Sequence, residues 1–407
     1  MAITGRQQSN IVAFCFLILF SSALNIVPGF YYADVVVFLG IFRLLFKRNI
    51  TITANEGQYL YLVILLILLP NCLFILYQMV TGIELGIFSI YIIYNVTLSL
   101  LYVFFIKEYL LGYSYRNVEL MTFLFMVPLF IAIGMFFSPQ VNQAATIIYG
   151  IEQIYDGRFG GVWGKNVNQL GYYATVIMVW SVFLIASGRI GKFFYGFVQF
   201  VCIFIILISG MRAGIVVYLF SLILTSFLSK QIRSVLILNI TTAIIFAFVL
   251  ILISPFIVEK FDLELIVNRF SLELFFGQLT GNSGDAHVGN MYKKWFEIFF
   301  SNPDLGDLLF SMGGYWKFPD SFVIFYFANA GLVGVGLLLV FLMLCLYKLI
   351  HRKLYIGLFL FLFLGGMAFK GNFPLNNFSM FVFILIIYMN DFLEVETYKQ
   401  KNTEFIS

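Results

Sequence analysis

Charge is what this 407-residue chain has least of. Asp, Glu, Lys and Arg make up only 11% of it, and histidine occurs twice. A soluble globular domain carries roughly 25% charged residues, so a soluble domain is excluded. Cysteine is scarce as well. Cys15, Cys72, Cys202 and Cys345 each stand inside an apolar run, with no paired spacing, which suggests neither a disulfide framework nor a metal site. There is no His-Glu-x-x-His pair, no P-loop or dinucleotide glycine pattern, no internal repeat and no low-complexity tract. No cofactor is therefore expected. The net charge of +4 is the ordinary inside-positive excess of a membrane protein and implies no nucleic acid.

What fills the chain is hydrocarbon. Hydrophobic residues account for 62% of it, and the mean hydropathy is +0.98. Apolar runs of about 20 residues, enough to cross a hydrocarbon core of ~30 Å, recur from end to end. The expected fold class is all-α: one polytopic domain over residues 1–407, embedded in a lipid bilayer by about twelve transmembrane helices. These lie near 10–28, 30–46, 58–80, 85–106, 119–137, 168–187, 193–209, 213–229, 234–256, 321–347, 354–369 and 375–392. The first ends in "FSSALN", whose small residues suit a signal-peptide cleavage site. Its apolar run is long for a signal sequence, so a retained helix is expected.

Basic residues set the orientation. Lys47 and Arg48, Lys107 and Arg116, Arg189 and Lys192, Lys230 and Arg233, then Lys348, Arg352 and Lys353 fall in alternate turns. By the positive-inside rule those turns, and both termini, are cytoplasmic. Two long outer loops remain, about 138–167 and 257–320, where most connections are short. Long loops in compact proteins are usually functional or disordered. The second contains Trp295, Trp316 and "NMYKKWFEIFF", so amphipathic helices lying over the bundle are expected there.

Polar chemistry collects on that outer side. In "LISGMRAGIVVYL", Arg212 stands where two apolar runs meet. It either snorkels to headgroups or faces a polar cavity and binds an anion. The stretch "GRFGGVWGKNVNQLGYYATVIMVW" runs from Arg158 through Lys165, Asn166, Asn168 and Gln169 into a span. Its glycines permit close backbone approach, and a helix N-terminus beside arginines can hold phosphate. The plainer reading is a Gly-rich turn with an amide-capped helix. His287 lies in "GNSGDAHVGNMYKKW" near Asp285, Lys293 and Lys294; it is either solvated or part of the same site. Asp320 opens a span in "KFPDSFVIFYFANAGLVGVG", as a plain N-cap or as a base.

In this order, these segments resemble the Wzy family of bacterial polysaccharide polymerases, relatives of the O-antigen ligases. "RFGGVWGKNVNQLGYYA" looks like the family's arginine, glycine and asparagine pair leading into a helix. "LISGMRAGIVVYL" looks like its S-x-S-R-G/A helix start, with Met211 in place of the second serine. A long outer loop ending in "NPDLGDLLFSMGG" follows, and "DSFVIFYFANAGLVGVG" looks like the family's H/D-N-x-Y-L…G-L-x-G helix. The likeness covers about residues 150–340. Asp320 replaces the ligases' histidine, which favours a polymerase, and His287 replaces an arginine often found early in the loop.

The resemblance implies a fold like the GT-C membrane glycosyltransferases and a site on the periplasmic side of the bacterial inner membrane. The substrates would be oligosaccharides linked to undecaprenyl diphosphate, with a polysaccharide chain-length regulator as a candidate partner. An acceptor sugar hydroxyl would attack the donor's anomeric carbon, and undecaprenyl diphosphate would leave. Its charge must be met by side chains, and arginine's fork suits phosphate. The expected phosphate-binding residues are Arg158 and Arg212, then Arg269, with Lys165, Asn166 and Asn168 orienting sugar or phosphate. Asp320 is the first choice of general base and His287 the second; no metal ligand set is evident. The rivals are an O-antigen ligase and a lipid-linked oligosaccharide flippase or transporter. A flippase should line a central cavity with charge, whereas most spans here lack an ionisable residue.

Overall fold

The computed structural model describes, isolated positions apart, residues 61–82, 119–149, 154–161, 167–258, 305–310 and 322–370. The described residues are helical, apart from one two-residue antiparallel ladder. The chain divides into two compact units.

The first unit comprises residues 1–46 and 104–271. It contains α2 (Val127–Phe137), α3 (Pro139–Tyr149), strands β1 (Ile154–Tyr155) and β2 (Arg158–Phe159), α4 (Val167–Ala186), α5 (Lys192–Ser209), α6 (Arg212–Ser226) and α7 (Lys230–Val258). The second comprises residues 47–103 and 272–407. It contains α1 (Leu69–Thr81) with the π-helical turn Ile64–Leu68 ahead of it, α8 (Leu305–Phe310), α9 (Phe322–His351) and α10 (Tyr355–Lys370).

Among the described residues, four helical stretches are long and apolar enough to cross a membrane: Ile64–Thr81, Lys192–Ser209, Lys230–Val249 and Gly331–His351. This is the make-up of a helical membrane protein. Wherever an expected span falls on described residues, a helix is found there. The spans expected at 10–28, 30–46, 85–106 and 375–392 lie outside the described residues.

In the first unit α4 is the hub. It is buried nearly all round, as a helix apolar on every face must be. α5, α6 and α7 each pack on it. α5 and α7 run parallel, because Gly196 lies beside Thr242 and Phe200 beside Phe246 four residues on. The outer rim is apolar and exposed: Phe220 and Ile223 on α6, Ile244 and Phe248 on α7. That is the surface a bilayer solvates. Lipid provides no hydrophobic drive between helices, so close contact and hydrogen bonds must hold them.

At the end of the bundle where α4 finishes, side chains satisfy carbonyls and N–H groups left over by the helices. Gln231 Nε2 donates to the Ala186 carbonyl, and Arg233 Nε to the Ser226 carbonyl at 3.3 Å. The Gly191 N–H donates to Glu119 Oε1 at 3.2 Å.

Two expectations change. The loop expected at 138–167 begins as a helix, α3. Ser138 ends α2, and its Oγ accepts the Val141 N–H at 3.4 Å. Pro139 then occupies the first helical position, where its missing N–H costs nothing. The span expected at 321–347 is not one continuous helix. α9 breaks at Gly331, with φ 61° and ψ −168°, a conformation open essentially to glycine alone. In α1 the irregularity has a different source. Pro70 cannot donate to the preceding turn, the chain widens to a π-turn, and Asn71 Nδ2 donates to the Ile67 carbonyl at 2.7 Å.

Candidate functional site

The end of the first unit where α4 begins is where the two polar motifs meet. β1 and β2 pair Ile154 with Phe159 and Tyr155 with Arg158. The link between them reads Asp156-Gly157, a sequence suited to a two-residue hairpin. Phe159 is buried and meets the Phe136 ring edge-on, centroids 5.6 Å apart. Phe136 in turn meets Phe204 of α5 at 5.7 Å. This aromatic chain pins the hairpin to α2 and α5. Gly161 follows with φ +55°, and a Cβ there would stand 2.8 Å from the Ala132 Cβ. The backbone therefore passes tightly over α2 on its way from Arg158 to α4.

α6 begins beside the start of α4. Gly210 ends α5 in the left-handed conformation, its N–H reaching the Ile206 and Leu207 carbonyls, and extended Met211 leads directly into Arg212. That two-residue turn sits on α4. A Cβ on Gly171 would lie 2.4 Å from the Met211 Cβ and 2.7 Å from Ser209 Oγ. One turn along, a Cβ on Gly214 would lie 2.5 Å from Thr175 Oγ1. Thr175 turns its hydroxyl back to the Gly171 carbonyl at 2.7 Å. Small residues thus bring the two backbones into contact, as they do in membrane helix pairs.

The first turn of α6 has no side-chain cap, because Met211 stands at the N-cap position. Its leading N–H groups keep their partial positive charge, with Arg212 at the first helical position. Arg158 in β2, Asn168 in the first turn of α4 and Arg212 in α6 are thereby gathered, at the level of the backbone, at one end of one unit. Free N–H groups at a helix start are chemically suited to an anion. Lys165, Asn166, Arg269, His287 and Asp320 lie outside the described residues. No cluster of His, Cys, Asp or Glu able to hold a metal occurs among the described residues.

The structure also holds a polar group that reading the sequence missed. Gln199 Nε2 donates to the Met178 carbonyl at 3.1 Å and to Ser181 Oγ at 2.7 Å. Its Oε1 accepts from Tyr218 OH at 3.3 Å, and Tyr195 OH lies 3.5 Å from Tyr218 OH. All four side chains are buried. The signal was available: Gln199 in "FVQFVCIF" and Asn239 in "LILNITTA" are lone amides in apolar runs, and polar residues at such positions are costly and rarely idle.

No family model matches the chain, and no curated protein or solved structure does either.

Proposed function

We propose that the protein is a polysaccharide polymerase of the bacterial inner membrane. It transfers a growing glycan from undecaprenyl diphosphate to a sugar hydroxyl of a new lipid-linked repeat unit. In this reading the chain crosses the membrane about twelve times, keeps both termini in the cytoplasm and works on its periplasmic side with a GT-C-like architecture. Arg158 and Arg212 bind the diphosphate, supported by Lys165, Arg269, Asn166 and Asn168. Asp320 is the first choice of base for the acceptor hydroxyl, with His287 the second.

One observation carries the reading. Gly171 seats the Ser209–Met211 turn directly against α4, so two motifs about 45 residues apart in sequence share one end of the bundle. Each motif alone has a bland explanation as a capped helix or a snorkelling arginine. Their contact favours a shared anion site, and the leaving group of this reaction is an anion that needs fixed positive charge.

The test is removal of that charge in the native host. Arg158→Ala and Arg212→Ala are made singly, membrane expression is confirmed, and surface glycan is resolved on a gel. Loss of the polymer ladder with a single capped repeat unit retained supports polymerisation. Loss of all surface glycan, single unit included, points to a flippase or ligase. An unchanged ladder removes the arginines from the site.

A further inference from the structure

We infer that the turn between α9 and α10 binds the headgroup of an anionic phospholipid, through His351, Arg352 and Lys353 with Tyr347 beside them. This inference does not depend on the proposed function or on which side of the membrane the turn faces. It starts from an irregular backbone. Lys353 has φ 57°, and it is the one residue other than glycine with a positive φ among the described residues. The left-handed conformation crowds any residue that has a Cβ, and glycine alone takes it freely.

The Leu354 N–H donates to the Leu349 carbonyl at 2.9 Å, and the Lys353 N–H to the Ile350 carbonyl at 3.1 Å. These two bonds make a Schellman motif, whose left-handed residue is most often glycine. A lysine there keeps a charge at a conformational cost, and strain held in this way points to a use for the side chain. Arg352 directly precedes it, with its own N–H on the Lys348 carbonyl at 3.0 Å. Lys348 and His351 fall in the last turn of α9. His351, Arg352 and Lys353 are consecutive and all exposed. No Asp or Glu occurs between Asp320 and Asp391, so α9, the turn and α10 carry charge of one sign only.

The place of the turn selects a lipid over a free anion. Gly331–His351 is long and apolar enough to cross a membrane, so residues 351–353 stand where hydrocarbon gives way to headgroups. Met343, Tyr347 and Ile350 are 62%, 67% and 56% exposed, and their spacing puts them on one face of α9 that leads up to the charges. An acyl chain can lie along that face while its phosphate meets Arg352 and Lys353. The arginine fork fits two phosphate oxygens at once, and the lysine adds a compact charge. The Tyr347 and His351 rings stack, with centroids 5.5 Å apart and planes 10° from parallel. That stack steadies Tyr347 at the interfacial level where tyrosine is enriched.

Native mass spectrometry of the full-length protein tests this, with phosphatidylglycerol and phosphatidylcholine supplied at equal concentration in mixed micelles. The wild type is expected to retain phosphatidylglycerol several-fold over phosphatidylcholine. Lys353→Gly removes the charge and installs the residue that the turn favours, so the fold should survive and the preference should fall. Adding Arg352→Gln should abolish it. Lys230→Gln, at an exposed position in the first unit, should leave it intact. Inorganic phosphate should not displace the lipid. No preference in the wild type, a preference that the double variant keeps, or an equal loss from Lys230→Gln overturns the proposal. So does displacement by inorganic phosphate, which would make this a site for the free ion.

Discussion

Gly171 of α4 and Met211, the residue before α6, occupy a space with room for no further atom. A methyl group at position 171 would stand 2.4 Å from the Met211 Cβ, well inside van der Waals contact, and part of what it meets is the base of a side chain that cannot swing away. Gly171→Ala is therefore expected to push the α5–α6 turn off α4 and to destabilise the protein by roughly 1–3 kcal/mol, the usual range for overpacking. A thermal shift in nanodiscs checks it. Wild-type stability in the variant would mean the two helices are not held this closely.

Gly214 is the matching position one turn deeper, where an added Cβ would stand 2.5 Å from Thr175 Oγ1. Here the obstacle can be removed. Gly214→Ala should destabilise the protein, and adding Thr175→Ala should restore part of the loss. The two changes would then be non-additive by about 0.5 kcal/mol or more, as for side chains in contact. Strict additivity would place Gly214 away from Thr175.

Gln199 bonds α4 through Met178 and Ser181 and α6 through Tyr218. Gln199→Leu keeps the bulk and removes the carboxamide's hydrogen bonds to Met178, Ser181 and Tyr218, at a cost of about 1–3 kcal/mol. Tyr218→Phe removes one hydroxyl and should cost less, about 0.6 kcal/mol, the average for a hydrogen bond between membrane helices. The order of the two losses is the diagnostic, measured by unfolding in mixed micelles.

Arg212→Lys separates charge from shape. Lysine keeps the positive charge but loses the fork that holds two phosphate oxygens at once. If Arg212 binds the lipid diphosphate, the host's polymer ladder should shorten with Arg212→Lys and vanish with Arg212→Ala. Equal ladders from both variants and the wild type would take Arg212 out of the reaction.

The helices were legible because burial and hydropathy write themselves into long apolar runs. "KFFYGFVQFVCIFIILIS" reads as a span and is α5. Irregularities were harder. Nothing in the hydropathy of "FANAGLVGVG" distinguishes a helix broken at Gly331 from a continuous one, because glycine is common in membrane helices of both kinds. α3 was missed for the opposite reason. "PQVNQAATIIY" is too polar to count as a span, although Ser138 and Pro139 carry a readable helix start. The gathering of Arg158, Asn168 and Arg212 was foreshadowed only as a shared side of the membrane. What joins Asn168 to Arg212 is the fit of Gly171 against Met211, and what holds Arg158 near them is Phe159 against Phe136 and Phe204, matters of single atoms that no composition or periodicity encodes.

The break in α9 divides labour within one helix. The part from Gly331 onward has 21 residues, about 31 Å at 1.5 Å per residue, long enough to cover a hydrocarbon layer unaided. The nine residues from Phe322 to Ala330 are then released from the task of crossing. They form a separate helical segment of about 13 Å on the other side of the break.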